Sequence, residues 1–231
     1  MKMVGLLGGT FNPIHFGHLR LAQEVANALS LDEVRFIPSA HPPHRPDPGI
    51  SRVHRTAMVN LAIHDNPLFM LDDRELKREG YSYTIDTLVS LRQEIGSDLA
   101  LCLLLGKDAF LGLASWHRWL ELLDYCHIVV ADRPASTQQD TPEALHALLN
   151  KHQVEHASAL HQASHGHILM QPITALDISA TYIRTAIRTA IEQGTSPRYL
   201  LPDAVLDYIR KHGLYLPGEQ QNPPPGNPQQ E

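Results

Sequence analysis

His15 and His18 close the segment GGTFNPIHFGH, Gly8 to His18, with Gly17 between them. Glycines let backbone N–H groups approach a ligand without a side chain in the way, and a helix start adds unpaired donors and the positive end of a dipole. Gly8, Gly9, Thr10 and Phe11 therefore read as a turn sized for a phosphate, with the two imidazoles as donors at its mouth. G-x-G-x-x-G is absent and no Gly-Lys-Ser/Thr follows, so the turn is neither the dinucleotide fingerprint nor a Walker A loop. One histidine beside a helix start would pass as a cap or a core residue. Two in this frame point to an anionic ligand.

Such a turn needs a strand before it and a helix after it. Met3 to Leu7 is a short apolar run, and Leu19, Ala22, Val25, Ala26 and Leu29 recur at helical spacing. The alternation continues with Val34 to Ile37 as strand, a Pro-rich loop from Pro38 to Pro48, Arg52 to Ile63 as helix and Leu68 to Leu71 as strand. Tyr83 to Ile95 then reads as helix and Leu99 to Leu105 as a strand buried on both faces. A helical stretch from Trp116 to Leu123, the strand His127 to Ala131, a helix from Pro142 to Lys151 and the apolar run Ile168 to Met170 follow. Ala180 to Gln193 and Asp203 to Lys211 read as closing helices. Strands alternating with helices predict an α/β fold, a Rossmann-like doubly wound, mostly parallel sheet with helices on both faces. Ligands bind such sheets outside the carboxyl ends of the strands, where Gly8-Gly9, Pro38 and Gly106 fall.

The chain has 231 residues, enough for one α/β domain over 1–216, and its Pro- and Gln-rich end, 217–231, reads as a disordered tail. A formal net charge of −6 is the wrong sign for gripping nucleic acid through an overall field, so a phosphate ligand must be held locally. The two cysteines, Cys102 and Cys126, sit in apolar runs and read as buried small hydrophobes. Among 15 histidines no HExxH or paired Cys/His spacing suggests a metal site, and His161, His165 and His167 fall in a polar, solvated loop. No apolar stretch approaches the roughly 20 residues that cross a bilayer, and Met1-Lys2 leads straight into a glycine turn with no visible signal peptide, so the expectation is a cytoplasmic protein without membrane contact. The sequence sets no oligomeric state.

His15-Phe16-Gly17-His18, preceded by Gly9-Thr10-Phe11-Asn12-Pro13, resembles the H-x-G-H signature of the nucleotidyltransferase superfamily. Ile178-Ser179-Ala180-Thr181-Tyr182-Ile183-Arg184 resembles its I-S-S-T-x-I-R motif, in the expected order and at a helix start. Up to about Leu216 the chain is similar to the nicotinate-nucleotide adenylyltransferases. Pro42-Pro43-His44-Arg45, Asp73-Arg74-Glu75-Leu76, Ser82-Tyr83-Thr84, Gly106-Lys107-Asp108, Trp116 before Leu122-Leu123, Leu201-Pro202-Asp203 and Gly213-Leu214-Tyr215 carry that similarity. Asn12 stands where Asp is common and Ala180 where a second Ser is common.

The resemblance implies transfer of the adenylyl group of ATP to nicotinate mononucleotide. His15 and His18 would hydrogen-bond the triphosphate, His18 at the α-phosphate, and Arg184 would clamp the β- and γ-phosphates. Gly8, Gly9, Thr10, Phe11, Gly106, Asp108, Ile178 and Ser179 would hold ATP, with Asp108 near its ribose. Trp116 would stack on the nicotinate ring, Tyr83 and Thr84 would meet its carboxylate, and Arg45 the mononucleotide phosphate. Ser82 is also a preferred N-cap type for the helix that follows. Mg²⁺ is expected on the substrate phosphates rather than in a protein cage. Ala40 to Gly49 has the Pro and Gly content of a lid. Rival readings are a phosphopantetheine adenylyltransferase of the same fold, a class I aminoacyl-tRNA synthetase core and a non-catalytic nucleotide sensor. Ser82-Tyr83-Thr84 and Trp116 favour the pyridine substrate, the length and charge leave no tRNA-binding domain, and a sensor would not need His15, His18 and Arg184 together.

Overall fold

A computed structural model describes residues 1–41, 49–132, 141–174 and 176–216. Arg45, the 217–231 segment and most of the expected lid lie outside the described residues. The chain opens with β1 (Met3–Gly9), α1 (Phe16–Leu29), β2 (Glu33–Pro38), α2 (Arg52–Ile63), β3 (Phe69–Leu71), the short α3 (Arg74–Lys77) and α4 (Thr84–Ile95). Next come β4 (Ala100–Gly106), α5 (Lys107–Leu111), 3₁₀ turns at Leu113–Ser115 and Trp119–Asp124, and β5 (His127–Asp132). It continues with α6 (Glu143–His152), β6 (Gln153–Val154), a 3₁₀ turn at Ala157–Gln162, β7 (Ile168–Pro172), α7 (Ala180–Gln193) and α8 (Asp203–Lys211).

The seven strands form one sheet in the order β3-β2-β1-β4-β5-β7-β6, and every pairing between them is parallel. A parallel sheet buries both faces, and β4 shows how one apolar run serves two cores. Its Ala100, Cys102 and Leu104 join one cluster with residues of α1, α2, α7 and α8, while Leu101, Leu103 and Leu105 join a second with residues of α4 and α6. Period-2 alternation thus divides six consecutive residues, Ala100 to Leu105, between the two helix layers.

The strand order reverses between β1 and β4, the place where open α/β sheets bind ligands. The two strands pair only from Met3↔Ala100 to Leu6↔Leu103. Beyond that point β1 runs on with β2 as far as Gly9↔Pro38, and β4 with β5 as far as Gly106↔Ala131. The sheet splits, and the split opens a crevice whose rims are Gly8-Gly9 and Gly106.

Sequence and structure part in several places. The helix after the glycine turn begins at Phe16 rather than near Leu19, because His15 in extended backbone serves as its N-cap. Trp116 to Leu123 is not an α-helix: Trp116 leaves the first 3₁₀ turn in extended backbone and Arg118 adopts a left-handed φ of 53°. That kink breaks the i→i+4 ladder that the Leu spacing suggested. Ser82 does not cap α4, whose N-cap is Tyr83; its hydroxyl accepts instead from the backbone of Ala40 and His41. β6, α3 and α5 are too short to leave a periodic signal. His161 and His165 are exposed as expected, but His167 is half-buried and stacks on the buried His127, ring centroids 5.3 Å apart. Both cysteines are buried.

Candidate active site

The crevice is a cleft of about 1980 Å³ lined by the ends of β1 and β4, the starts of α1, α4 and α5, and the entry to α7. Gly8, Gly9, Thr10, Phe11, His15, His18, Tyr83, Thr84, Gly106, Asp108, Trp116, Ile178, Ser179 and Arg184 all face it. These residues come from four widely separated stretches of chain.

His15 is the buried end of the pair. Its ring lies 3.8 Å from that of His18, and its backbone N–H donates to His18 Nδ1 at 3.3 Å, which orients the second imidazole. Burial pushes the His15 imidazole down to about 4, so it is neutral at pH 7. Its Nδ1 is buried with no protein partner. Gly17 makes this arrangement possible: a Cβ there would stand 2.9 Å from His15 Nδ1 and 3.0 Å from Cε1. Gly9 is constrained in the same way, since its Cβ would meet the Phe11 ring at 3.1 Å.

Arg184 sits in the first half of α7, whose N-cap Ser179 accepts from Tyr182 N at 3.1 Å. Its Nη1 donates to the backbone oxygen of Asn12 at 2.8 Å and its Nη2 to Thr181 Oγ1 at 3.1 Å. The guanidinium is therefore docked on the turn between Gly9 and His15. From the other side, the buried Tyr215 hydroxyl donates to Asn12 Oδ1 at 2.8 Å. An amide oxygen at position 12 thus accepts from a phenol with no net charge.

Imidazoles, a guanidinium, backbone donors and a helix N-terminus converge on a cleft at the switch point of a parallel sheet. That donor set suits polyanions. Over residues 6–186 the chain matches the cytidylyltransferase-like family. It is 51% identical over 214 residues to the "Probable nicotinate-nucleotide adenylyltransferase" of Pseudomonas fluorescens, a match covering 93% of this chain and 97% of that one. The protein of the same name from Aeromonas hydrophila is 50% identical, with the same coverage. The chain belongs to the nicotinate-nucleotide adenylyltransferase family. A solved structure of Plasmodium falciparum nicotinic acid mononucleotide adenylyltransferase complexed with NaAD superposes with a TM-score of 0.69, covering 93% of this chain and 98% of that one. At 17% identity this similarity shows the shared fold.

One continuous cleft holds all of these site residues, contributed by different elements. Gly8 to Phe11, His15, His18, Gly106, Asp108, Ile178, Ser179 and Arg184 border the glycine turn and α7, while Tyr83, Thr84 and Trp116 line the wall between α4 and the 3₁₀ turns. Phe11 lines the cleft although it is only 2% exposed and its side chain belongs to the core. What it offers the cleft is its backbone and a ring edge set against His18, 5.2 Å between centroids. The Ser179 oxygen is already engaged as a cap, which leaves its O–H as the donor.

Sequence reasoning missed several residues of this site. Arg55 is 1% exposed on α2 and donates from Nη1 to Thr10 O at 2.7 Å and from Nη2 to Ala40 O at 3.4 Å, linking the loops after β1 and β2. A charged residue in register with the apolar Met58, Val59 and Ile63 of its helix was the available signal. Glu75 is buried in the cleft wall. His117 stacks on Tyr83 at 4.4 Å, and Arg188, one turn after Arg184, donates to Tyr215 O at 3.2 Å. Lys107 Nζ bridges to Asp132 Oδ1 at 3.1 Å across the ends of β4 and β5. No helix among the described residues is long and apolar enough to cross a membrane.

Proposed function

We propose that this cleft transfers the adenylyl group of ATP to nicotinate mononucleotide, giving deamido-NAD and pyrophosphate, and that residues 1–216 act as one catalytic unit in the cytoplasm. The observation that carries the reading is the hydrogen bond from Arg184 to Asn12 O, 172 residues away in sequence, which brings a guanidinium to the loop of His15 and His18.

The attacking group is a phosphate oxygen, already anionic at neutral pH. It forms a bond to the α-phosphorus while the α–β bridging P–O bond breaks, and that electron pair leaves on pyrophosphate. No general base is needed, so the work lies in aligning two polyanions and neutralising the charge that develops. In this reading Gly8, Gly9, Thr10 and Phe11 offer backbone groups to the triphosphate. His15 and His18 donate to it, and His18, the more exposed of the pair, meets the α-phosphate. Arg184, with Ile178 and Ser179 before it, clamps the β- and γ-phosphates. Asp108 and Gly106 border the ribose. Trp116 offers a face to the nicotinate ring, Tyr83 and Thr84 donate to its carboxylate, and Arg45 meets the mononucleotide phosphate. Mg²⁺, held by the substrate phosphates rather than by a protein cage, would supply charge neutralisation.

Pyrophosphate release from ATP, Mg²⁺ and nicotinate mononucleotide tests the reading, and release no faster than without protein overturns it. The acid mononucleotide should exceed the amide in kcat/KM under competition, because N–H and O–H donors at the start of α4 are matched by a carboxylate. Equal values remove Tyr83 and Thr84 from their role.

A further inference from the structure

We propose that Tyr215 is a positioning residue for Arg184: its hydroxyl holds Asn12, the residue on which the guanidinium docks. The role rests on the assignment of Arg184 to the triphosphate above.

Tyr215 lies 203 residues beyond Asn12, and the adenylyl transfer as derived makes no use of it. Its side chain is 4% exposed, in the core cluster that also takes in Ile183 and Ile187 of α7. A buried hydroxyl persists when it is hydrogen-bonded, and this one donates to Asn12 Oδ1 at 2.8 Å. Burial pushes the phenol up against the pull of the Arg184 and Arg55 guanidiniums, which keeps it a neutral donor. The backbone is committed as well. Its φ of 71° lies in the left-handed region that a residue with a β-carbon enters rarely, and such a conformation persists only where the surrounding structure determines it. Arg188 Nε donates to Tyr215 O at 3.2 Å and so holds that peptide in place.

These contacts close a circuit. Arg184 Nη1 donates to Asn12 O at 2.8 Å, Tyr215 donates to Asn12 Oδ1, and Arg188, one turn beyond Arg184, donates to Tyr215 O. Asn12 is gripped at its backbone oxygen and its side-chain oxygen at once, and both grips lead back to α7. A guanidinium presents its donors in a rigid planar fork. With Nη1 on Asn12 and Nη2 on Thr181 Oγ1 at 3.1 Å, two contacts set the plane of the half-buried Arg184, and the direction of its remaining N–H groups with it. Deleting the Tyr215 hydroxyl releases Asn12 Oδ1, so the residue that presents the carbonyl can turn, and the fork turns with it. The burial of Ile183 and Ile187, which seats α7, does not depend on that hydroxyl.

Titration calorimetry with inorganic tripolyphosphate on the full chain tests this. Tyr215→Phe keeps the ring and removes the donor. Its affinity should fall about fivefold, the effect of about one hydrogen bond. Arg184→Lys keeps the charge, and with it a measurable affinity, but has no fork to dock. In that background Tyr215→Phe should cost less than about twofold, because changes that act through one contact do not add. Should Tyr215→Phe fail to fold, Asn12→Ala removes the same hydrogen bond from its acceptor end and carries the same two expectations. A merely structural role would lower Tm and weaken binding by the same factor in both backgrounds, and that result overturns the assignment. Unchanged affinity in Tyr215→Phe overturns it too, as does a wild-type chain that binds no tripolyphosphate. Tripolyphosphate carries neither nucleoside nor pyridine, so the positioning role is read even where the pyrophosphate assay refutes the substrate, and the two failures are separable.

Discussion

Gly17→Ala probes the histidine pair with the smallest perturbation available, one methyl group. The new Cβ would stand 2.9 Å from His15 Nδ1 and 3.0 Å from Cε1, about half an ångström inside ordinary contact. On another side Ile178 O is already at 3.6 Å, so there is little room for the backbone to back away. The ring must move instead, and it is buried and stacked 3.8 Å from His18, which its own backbone orients. Stability should change little: alanine gains about 0.5–1 kcal/mol over glycine in a helix, against about 1–3 kcal/mol for overpacking, a net loss of roughly 0–2 kcal/mol. Activity should change much more, since a displacement near 1 Å at aligned reacting groups can cost about 10²-fold. The assay pairs Tm with steady-state pyrophosphate release at saturating ATP. Full kcat with an intact Tm would refute the claim that the His15 ring position matters, and a loss of activity only in step with unfolding would reduce Gly17 to a packing residue.

Replacing His18 with Ala should lower kcat by about 10²- to 10³-fold if it donates in the transition state like an oxyanion-hole group; near-normal turnover at saturating ATP removes it from that role. Arg55→Met leaves Thr10 O without its buried donor and should cost about 2–4 kcal/mol in urea denaturation, and a loss under about 1 kcal/mol would show that the two loops hold themselves. Acid should destabilise the fold through its buried histidines: burial pushes His15 and His127 down to about 4, and burial together with the neighbouring His212 also pushes His54 down. The unfolded chain takes up protons below about pH 6.5 that the native imidazoles refuse until about pH 4, so stability is retained above that window and falls as pH drops through it, by up to about 3 kcal/mol per residue. His127→Asn should flatten this slope by less than half, since His15 and His54 remain; an unchanged slope between pH 7 and 4.5 would show that His127 does not carry it.

The glycine turn and its two histidines were legible because their chemistry is local: residue types within eleven positions state which ligand charge they suit. The partner of that turn was legible only through the order of two motifs, since nothing near Arg184 says that it will reach Asn12. The parallel sheet followed from the alternation of strands and helices, yet the split between β1 and β4 did not, because both strands stay apolar past the point where their pairing ends. Trp116 was read onto a helix because Leu120, Leu122 and Leu123 are good helix formers, while the left-handed turn at Arg118 that interrupts them depends on how Trp116 and Leu122 pack against the sheet. Arg55 was hidden for a deeper reason. Arg55 bonds to the carbonyl oxygens of Thr10 and Ala40. Every residue carries those backbone groups, so the side chains that hold the loops have no complementary residue type to announce them. Only a charged position on an apolar helix face marks such a tether before the fold is known.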